Sequence, residues 1–296
     1  MSANRPLGVI LVLISAASFG TLAIFGRYAY AAGIDTFTLL FLRFSLSTVL
    51  MAVLLLLRRE PLPCGRTLAV LAGMGAIGYV GQSFCYLSAI KYASAGLVAL
   101  LLYLYPMFVA VLAAVFLRER ISRVKAAALG LATLGVALTV HPQGGRWAGI
   151  LLGISTAAVY SVFILVGTGV MRRVSAVQSS TVIFGSAGIV YGGLTAANGP
   201  HWPASGAGWL AVGGIALLST VVPVATFLAG LKRIGPTQAS TLSTIEPVVT
   251  ILLAAALFGE TLQPIALVGG GLILAAVLLL TRGDRGGRAA GQESGP

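Results

Sequence analysis

The sequence predicts an all-α integral membrane protein: ten transmembrane helices arranged as two inverted five-helix repeats, with the N- and C-termini in the cytoplasm. Its apolar composition, the distribution of its basic residues and an internal repeat all favour this fold class. Hydrophobic residues make up 58% of the 296 residues and charged residues 9%, whereas a soluble domain carries about 25% charged residues. Such a chain cannot cover itself with polar surface, so most of its surroundings must be lipid.

Ten apolar stretches follow one another along the chain, separated by short polar breaks. Each is close to the roughly 20 residues that a helix needs to cross a bilayer, whereas barrel strands are about half as long and alternate in polarity. The first stretch follows Arg5, as in a signal peptide, but it runs on to about Tyr30 and more spans follow, which favours a transmembrane helix. The predicted spans are 8–29, 36–57, 67–89, 94–117, 124–141, 148–169, 176–197, 207–229, 236–258 and 264–282.

The basic residues indicate how these spans are oriented. With the N-terminus in the cytoplasm, fifteen of the nineteen lysines and arginines lie in inside segments, and only Lys91 and Arg146 lie in outside loops. Cytoplasmic loops are expected to carry this excess. An odd number of spans would destroy the bias, so both termini are predicted inside. The polar tail, 283–296, is predicted to be disordered in the cytoplasm.

A constant shift of 141 residues aligns the two halves without gaps over long stretches. It superimposes Pro106 on Pro247 and, thirteen residues later, one glutamate on another, which apolar composition alone does not readily produce. The predicted domains are therefore two five-helix repeats, 1–141 and 142–282. Because five is odd, the second repeat must be inverted relative to the first. Inverted repeats are typical of secondary transporters, whose substrate site lies near the bilayer midplane at the repeat interface.

Segments 105–120 and 246–261 each contain a proline in a helix, a run of small and aliphatic residues, and a glutamate at the helix end. In this they resemble the end of an EamA domain, and the whole chain is similar to ten-helix members of the drug/metabolite transporter superfamily, EamA type. The resemblance implies export of amino acids or related metabolites across the bacterial inner membrane. Other branches carry sugar phosphates and nucleotide sugars, so the resemblance leaves the substrate open. The first segment has Tyr105 where the second has Glu246.

Arg43 falls inside a predicted span, roughly 10 Å from its outer end at 1.5 Å per residue. A charge at that depth costs several kcal/mol unless it is paired or faces water. Arg43 is therefore a candidate for binding a substrate carboxylate. The alternatives are a structural ion pair or a side chain that reaches the outer headgroups.

Glu246 is the only carboxylate predicted deep in the membrane, about ten residues from either end of its span. Pro247 follows it, frees a carbonyl one turn earlier and can kink the helix. Glu246 is a candidate for attracting a substrate amine or for carrying a proton. The alternatives are an ion pair with Arg43 or a hydrogen-bonded packing role.

Aromatic residues concentrate in the spans predicted to line a cavity. Tyr79, Gln82 and Tyr86 share one helix face, and a polar stripe inside lipid requires a polar surface, which a central cavity would provide. For Tyr86 and Tyr103 the alternative is the interfacial aromatic belt. The predicted substrate-binding residues are Arg43, Tyr79, Gln82, Tyr86, Tyr103, Tyr105, Tyr160 and Glu246.

A second set of residues is predicted to act in structure or gating. Pro223 falls in mid-span and aligns with Gln82, so the third helix of each repeat is weakened at one level; bending there could gate the two ends, or the kink could be static. A glutamate at a helix C-terminus opposes the helix dipole, so a specific partner such as a loop amide or a helix N-terminus is expected. The set comprises Pro106, Pro223, Pro247, Glu119 and Glu260.

The sequence contains no Walker-type loop, metal-ligand cluster or pair of intramembrane aspartates, so no cofactor is predicted and an enzyme is not expected. The net charge of +12 is scattered between apolar segments, which argues against a nucleic-acid partner. The prediction is a multi-pass bacterial inner-membrane exporter of small molecules. It works by alternating access around a midplane cavity lined by helices 1, 3, 4, 6, 8 and 9, as a monomer or weak dimer in membrane lipid. The alternatives are transport of sugar phosphates, drugs or other metabolites, and an intramembrane enzyme acting on lipid.

Overall fold

The computed structural model describes residues 5–116, 123–139, 146–170, 173–234, 239, 242–261 and 264–292. Within these residues the regular secondary structure is helical. Seven described helical stretches, four of them made of consecutive shorter segments, are long and apolar enough to cross a membrane. Three shorter apolar helices lie at Ala126–Leu138, Glu246–Phe258 and Leu267–Leu279. The all-helical membrane fold is confirmed, while the count of ten spans and their orientation remain predictions.

The helical segments include two short stretches with widened, π-helical turns, labelled π1 and π2. In chain order the described segments are α1 (Arg5–Gly20), α2 (Leu22–Ala31), α3 (Thr36–Leu57), α4 (Gly65–Gly73), π1 (Met74–Tyr79), α5 (Val80–Ala89), α6 (Ala95–Leu102), α7 (Tyr105–Phe116), α8 (Arg123–Thr139), α9 (Trp147–Val170), α10 (Ala176–Asn198), α11 (Gly206–Ala216), π2 (Leu217–Val221), α12 (Val222–Ile234), α13 (Glu246–Phe258) and α14 (Pro264–Gln292).

Polar residues in the loops fix where several helices begin. The Asp35 carboxylate accepts the backbone N–H groups of Phe37 and Thr38 at the start of α3, and Ser175 caps α10 in a reciprocal capping box with Gln178. Each cap satisfies amide groups that have no partner inside the helix. The loops therefore set the bounds of helices whose interiors are almost uniformly apolar.

The first, fourth and ninth predicted spans are not continuous helices, which corrects the prediction. The helix breaks at Thr21 and at residues 103–104, and α13 begins only at Glu246. Apolar residues continue across the breaks at Thr21 and at residues 103–104, and the Ser- and Thr-rich segment before Glu246 carries no charge, so none of the three breaks separates two predicted spans. Pro106 and Pro247 lie in the first turn of a new helix, where a missing N–H costs nothing. They therefore start helices and do not kink longer ones.

The third span of each half contains a π segment at an equivalent position. Shifted by 141 residues, π1 covers positions 215–220, which overlap π2. Pro223, just after π2, has no N–H with which to continue the helical ladder, and the Thr220 hydroxyl donates to the carbonyl oxygen of Ile215 at 2.7 Å. The predicted weak points near Gln82 and Pro223 thus coincide with widened turns, which are frequent at functional sites.

The helices pack in pairs, and shifting the numbering by 141 residues converts each pair into one formed by the equivalent helices. α3 packs on its own equivalent α10, α8 packs on its equivalent α14, and the pair α1 with α12 corresponds to the pair α9 with α5. A Cβ on Gly8 would lie 2.6 Å from Ile234 Cγ2, and one on Gly149 would lie 2.8 Å from Ala93 Cβ, at matching positions. Glycine allows the helices to approach this closely. The same crossing therefore occurs twice, once from each half.

The buried apolar side chains form two clusters, the larger of them around α3, α5 and α10. Large apolar residues also cover the outside: Ile77, Ile189 and Leu210 are 78%, 79% and 77% exposed. So much exposed apolar surface is unfavourable in water and suits contact with lipid. The helices thus bury a core on one side and present an apolar surface on the other.

Candidate functional site

Eight aromatic rings form a continuous series through the packed helices, here named the aromatic chain. Successive ring centroids lie between 5.0 Å (Tyr105 to Tyr160) and 6.2 Å (Tyr103 to Tyr105) apart, which is within the range of attractive ring contacts. Tyr103 lies in the turn between α6 and α7, and the other rings come from α3, π1, α7, α9 and α10. In order, the chain consists of Tyr103, Tyr105, Tyr160, Phe163, Tyr79 and Phe44, with Phe184 and Tyr191 against Phe44.

Glu246 meets the Tyr103 end of the aromatic chain. The Tyr103 hydroxyl lies 3.0 Å from Glu246 Oε2 and 2.6 Å from the carbonyl oxygen of Ser243, and its one proton can be donated to either. Glu246 is the first residue of α13, where the helix dipole favours a negative charge. One turn later the Thr250 hydroxyl donates to the carbonyl oxygen of Gly20 at 2.9 Å. Glu246 therefore stands where the end of α1 meets the start of α13.

Arg43 lies at the other end of the aromatic chain, beside Phe44. The residue is 3% exposed, and its guanidinium carbon lies 4.9 Å from the centroid of the Phe44 ring. Its Nε–H donates to Thr220 Oγ1 at 3.0 Å, the hydroxyl that itself donates to Ile215. The widened turn of π2 thus positions Arg43. Among the described residues, no carboxylate forms an ion pair with it.

The alternatives proposed for Arg43 are wrong for the described structure. It does not pair with Glu246, because Arg43 faces π2 and Glu246 faces Tyr103, with aromatic rings connecting the two ends. It does not reach the headgroups either, because it is almost fully buried. Tyr79 and Tyr86 lie within electrostatic reach of both charged residues. The two charges therefore share one site without neutralising each other directly.

The predicted polar stripe on the third span lies against this site. Tyr86 and Tyr103 are 3% and 5% exposed, so the alternative of an interfacial aromatic belt is wrong for both. Gln82 lies one turn from Tyr79 and from Tyr86 and is partly buried. Its amide forms no hydrogen bond with another residue in the described part of the chain. The stripe thus offers polar groups next to the rings.

The same contact between equivalent positions occurs twice in the molecule, once as a polar contact and once as an aromatic one. The 141-residue shift exchanges Arg43 with Phe184 and Thr220 with Tyr79. The polar contact between Arg43 and Thr220 therefore has an aromatic counterpart, in which the rings of Phe184 and Tyr79 lie 5.7 Å apart. The site is consequently not symmetric, although the helices that carry it pack alike.

Glu260 follows the end of α13 and lies against the start of α6. Its Oε1 accepts the backbone N–H of Ala95 at 3.3 Å, so its partner is a helix N-terminus, and it also forms an ion pair with Arg27. The Arg27 guanidinium lies 4.4 Å from the centroid of the Phe258 ring. These contacts join α2, α6 and the end of α13. The equivalent glutamate, Glu119, lies outside the described residues.

Sequence reasoning missed the Arg27–Glu260 pair and half of the aromatic chain. A signal for the pair existed, because a charge inside a predicted span requires a partner. No comparable signal marks the rings, which lie in helices that are apolar on every side and so show no inward face. The missed rings are Phe44, Phe163, Phe184 and Tyr191.

Comparison with known proteins identifies the kind of molecule that carries this site. The profile of the EamA-like transporter family matches residues 6–141 and again residues 147–282. The chain belongs to the EamA-like transporter family. The second match begins and ends 141 residues after the first, the same shift that aligns the two halves. The resemblance drawn from the sequence is thereby confirmed.

Relatives of this EamA protein extend over most of its length. An uncharacterized transporter of Archaeoglobus fulgidus is 30% identical over 277 residues, covering 93% of this chain and 96% of its own. The uncharacterized transporter YcbK of Bacillus subtilis is 26% identical over 284 residues, 89% of each chain. The uncharacterized inner membrane transporter YedA of Escherichia coli is 28% identical over 251 residues, 81% and 80% of the two chains.

A solved crystal structure shares the fold of this EamA protein, with a TM-score of 0.65 at 20% identity over 95% of this chain and 98% of its own. Together with the family match, this makes the chain a multi-pass membrane transporter. The aromatic chain, with Arg43 and Glu246 at its ends, is the candidate transport site within it.

Proposed function

We propose that this EamA protein exports amino acids, aromatic or neutral ones, across the bacterial inner membrane by alternating access. One observation carries the proposal above the others: Arg43 and Glu246 lie at opposite ends of the aromatic chain, and within the described residues neither forms an ion pair. A free amino acid has a carboxylate, an ammonium group and a side chain. The site offers one complementary feature for each.

The chemistry of the three features matches the three parts of the ligand. A guanidinium binds a carboxylate through two parallel hydrogen bonds, and the Glu246 carboxylate can accept an ammonium group. Tyrosine and phenylalanine rings offer flat apolar surface to an aromatic or aliphatic side chain. A sugar phosphate would bring about two negative charges to a site with one arginine and one glutamate. An uncharged drug would leave both charges buried without a partner, which is costly.

Broken helices and repeated contacts support alternating access. The breaks at Thr21, at residues 103–104 and before Glu246 bring helix ends to the site, as in transporters whose discontinuous helices bind substrate. The packing pairs that the 141-residue shift exchanges fit inverted repeats over 1–141 and 142–282. Each half could then adopt the arrangement of the other. With ten spans and the basic residues inside, the end that carries Arg27 and Glu260 faces outward.

Glu246 is the candidate proton carrier of this mechanism. Within the described residues it is the one carboxylate that contacts the aromatic chain, and no basic side chain there forms an ion pair with it. Substrate ammonium and proton would then compete for the same carboxylate, which couples export to proton entry. If Glu246 takes no proton, the substrate gradient alone drives transport.

Reconstitution into liposomes with a panel of amino acids tests the assignment. We expect saturable counterflow of an aromatic or neutral amino acid, tyrosine being the reference substrate. Tyramine lacks the carboxylate and 4-hydroxyphenylpropionate lacks the amine, so both should be carried less well. Flux of a sugar phosphate or a drug, with none for any amino acid, would overturn the substrate class. Turnover of a membrane lipid would instead indicate an enzyme.

A further inference from the structure

A pocket of about 460 Å³ opens at the end of the molecule where α2 and α5 end. None of its lining residues belongs to the aromatic chain or to the predicted substrate-binding set. Two of its lining residues are basic and none is acidic. The lining consists of Arg27, Tyr30, Ala31, Gly33, Ile34, Ile90 and Lys91.

Both basic side chains have hydrogen-bonding capacity to spare. The Arg27 side chain is 34% exposed and pairs with Glu260 through one of its two terminal nitrogens, although a guanidinium carries five N–H donors. The Lys91 ammonium lies 4.4 Å from the centroid of the Tyr30 ring and forms no ion pair with a described carboxylate. Burial lowers the pKa of Lys91, an effect that nearby Asp35 opposes. The pocket is therefore rich in donors and poor in acceptors.

The acidic residues nearby are engaged elsewhere. Asp35 accepts the backbone N–H groups of Phe37 and Thr38 and the Thr38 hydroxyl, and its Oδ2 lies 3.4 Å from His201 Nδ1. Glu260 accepts the Ala95 N–H as well as Arg27. Neither carboxylate lines the pocket, and neither forms an ion pair with Lys91 in the described part of the chain.

We propose that this pocket binds a small oxyanion, the carboxylate or phosphate group of a ligand, held between Lys91 and Arg27. A bound oxyanion takes hydrogen bonds from Lys91 and from the unused N–H groups of Arg27, and its negative charge competes with that of Glu260 for the same guanidinium. The pocket volume falls within the range of small-molecule sites, with Tyr30 and Ile90 as apolar surface for the rest of the ligand. The binding does not depend on which substrate the transport site carries.

Competition for Arg27 loosens a contact between the two halves of the chain. Glu260, in the second half, is joined to α2 and α6 of the first half by Arg27 and by the Ala95 N–H. The 141-residue shift aligns Arg27 with Thr168. The second repeat therefore has no arginine at the position that would form the equivalent ion pair at the opposite end of the molecule. An oxyanion in the pocket would thus weaken one end selectively. This consequence for gating rests on the proposed function; the binding itself does not.

Thermal unfolding of the purified full-length protein, titrated with sodium acetate or inorganic phosphate at constant ionic strength, measures the binding. A ligand that binds the folded state raises Tm with its concentration. Loss of a charge-assisted hydrogen bond in Lys91→Gln should weaken acetate binding about tenfold or more, while Lys91→Arg keeps it. Glu260→Gln removes the competitor and should tighten binding. Arg146→Gln, an exposed cation outside the pocket, is the matched control.

The opposite signs of these effects keep the inference testable even if one variant folds poorly. The proposal would be overturned if Lys91→Gln bound acetate and phosphate as tightly as wild type does. Weaker binding of either anion in Glu260→Gln would also overturn it. Repeating the titration in nanodiscs of phosphatidylcholine, with and without phosphatidylglycerol, identifies the source of the oxyanion. If phosphatidylglycerol alone stabilises wild type, and Lys91→Gln abolishes that effect, the group is a lipid phosphate. Stabilisation by soluble acetate assigns the site to a free metabolite.

Discussion

Replacing Arg43 by methionine distinguishes an arginine that binds substrate from one that holds the fold. Methionine keeps a long unbranched side chain, fills much of the same space and removes the charge. We expect the free energy of unfolding to hold or rise while amino-acid transport falls. A structural arginine would give the opposite result for stability, because the fold would lose a contact it depends on.

The structure sets the size of the change in stability. The variant loses the Nε bond to Thr220 and the contact with the Phe44 ring, about 1.5–3 kcal/mol and, for this buried contact, about 2 kcal/mol. Thr220 keeps its own bond to the Ile215 carbonyl, so no polar group is left unsatisfied. Keeping a charge buried costs several kcal/mol, and its replacement by apolar atoms is often neutral or stabilising. The free energy of unfolding should therefore rise by about 0–3 kcal/mol.

The expected change in transport is larger and depends on the substrate. A guanidinium–carboxylate contact contributes about 1.5–3 kcal/mol, and about 1.4 kcal/mol corresponds to a factor of ten. The kcat/KM for tyrosine should therefore fall by about 10- to 150-fold in Arg43→Met. Tyramine has no carboxylate, so wild type and variant should carry it alike. Arg43→Lys keeps the charge without the planar guanidinium, so its kcat/KM for tyrosine should lie between those of wild type and Arg43→Met.

Counterflow in liposomes and thermal unfolding in detergent, on the same preparations, provide the two measurements. The reasoning fails if Arg43→Met unfolds at a temperature low enough to account for the lost flux. It also fails if tyrosine and tyramine lose flux equally, because the lost contact would then not involve the carboxylate.

Three further predictions address the proton, the packing and a loop. Glu246→Gln should abolish proton-coupled transport and leave tyrosine exchange weakened but measurable, because the ammonium group loses a charge-assisted hydrogen bond. Exchange is measured with and without a pH gradient, and proton coupling that survived in Glu246→Gln would exclude this carboxylate as the proton carrier. A Cβ on Gly75 would overlap the backbone of Ile183, so Gly75→Ala should destabilise the protein by roughly 1–3 kcal/mol. Gly73 has open space around its Cβ position, so Gly73→Ala should not lower Tm. Equal Tm values for the two variants would refute the close approach of Gly75 to Ile183. Burial acts to raise the pKa of Asp35, but the hydrogen bonds it accepts outweigh burial and the pKa lies below its ordinary 3.8. A carboxylate whose pKa is lowered in the folded protein stabilises the fold above the pKa of the unfolded chain, and this stabilisation is lost as the pH falls through the folded pKa. The Tm advantage of wild type over Asp35→Asn should therefore shrink in acid. A Tm advantage that persisted in acid would refute this account of Asp35.

The sequence predicts that the chain folds into apolar helices because the length of an apolar stretch is a local property. The break before Glu246 is different, because it depends on a contact with another part of the chain. A Cβ on Gly20 would lie 3.0 Å from the Glu246 carbonyl oxygen, and Thr250 bonds the Gly20 carbonyl. The segment before this point is rich in Ser and Thr but carries no charge, so the predicted span runs across it and Pro247 suggests a kink in a long helix. In the structure it lies in the first turn of a short one.

The candidate site was predictable only where polarity was out of place. Arg43, Tyr79, Gln82 and Glu246 are conspicuous because polar groups inside an apolar span require an explanation. Phe44, by contrast, resembles any residue that faces lipid, yet it is fully buried and contacts Arg43. Which side of such a helix faces the protein is decided by its neighbours, and that information is distributed over the whole chain.

If the proposed substrate is right, the differences between the two halves explain how a nearly symmetric scaffold can select the orientation of an amino acid. If both halves carried the same residues, an inverted substrate would meet the same site. Arg43 stands opposite Phe184, and Glu246 stands opposite Tyr105, in the 141-residue alignment. In the reversed orientation the carboxylate would meet Glu246 and the ammonium group would meet Arg43, so two charge-assisted hydrogen bonds of about 1.5–3 kcal/mol each would be lost. This energy difference between the two orientations exceeds what the rings alone supply, because a ring contact contributes about 0.5–1.5 kcal/mol. The rings also lie between the two charged ends, so the side chain meets them in either orientation. For the proposed amino-acid substrate, orientation would therefore be set by the two positions where a charge in one half replaces a ring in the other.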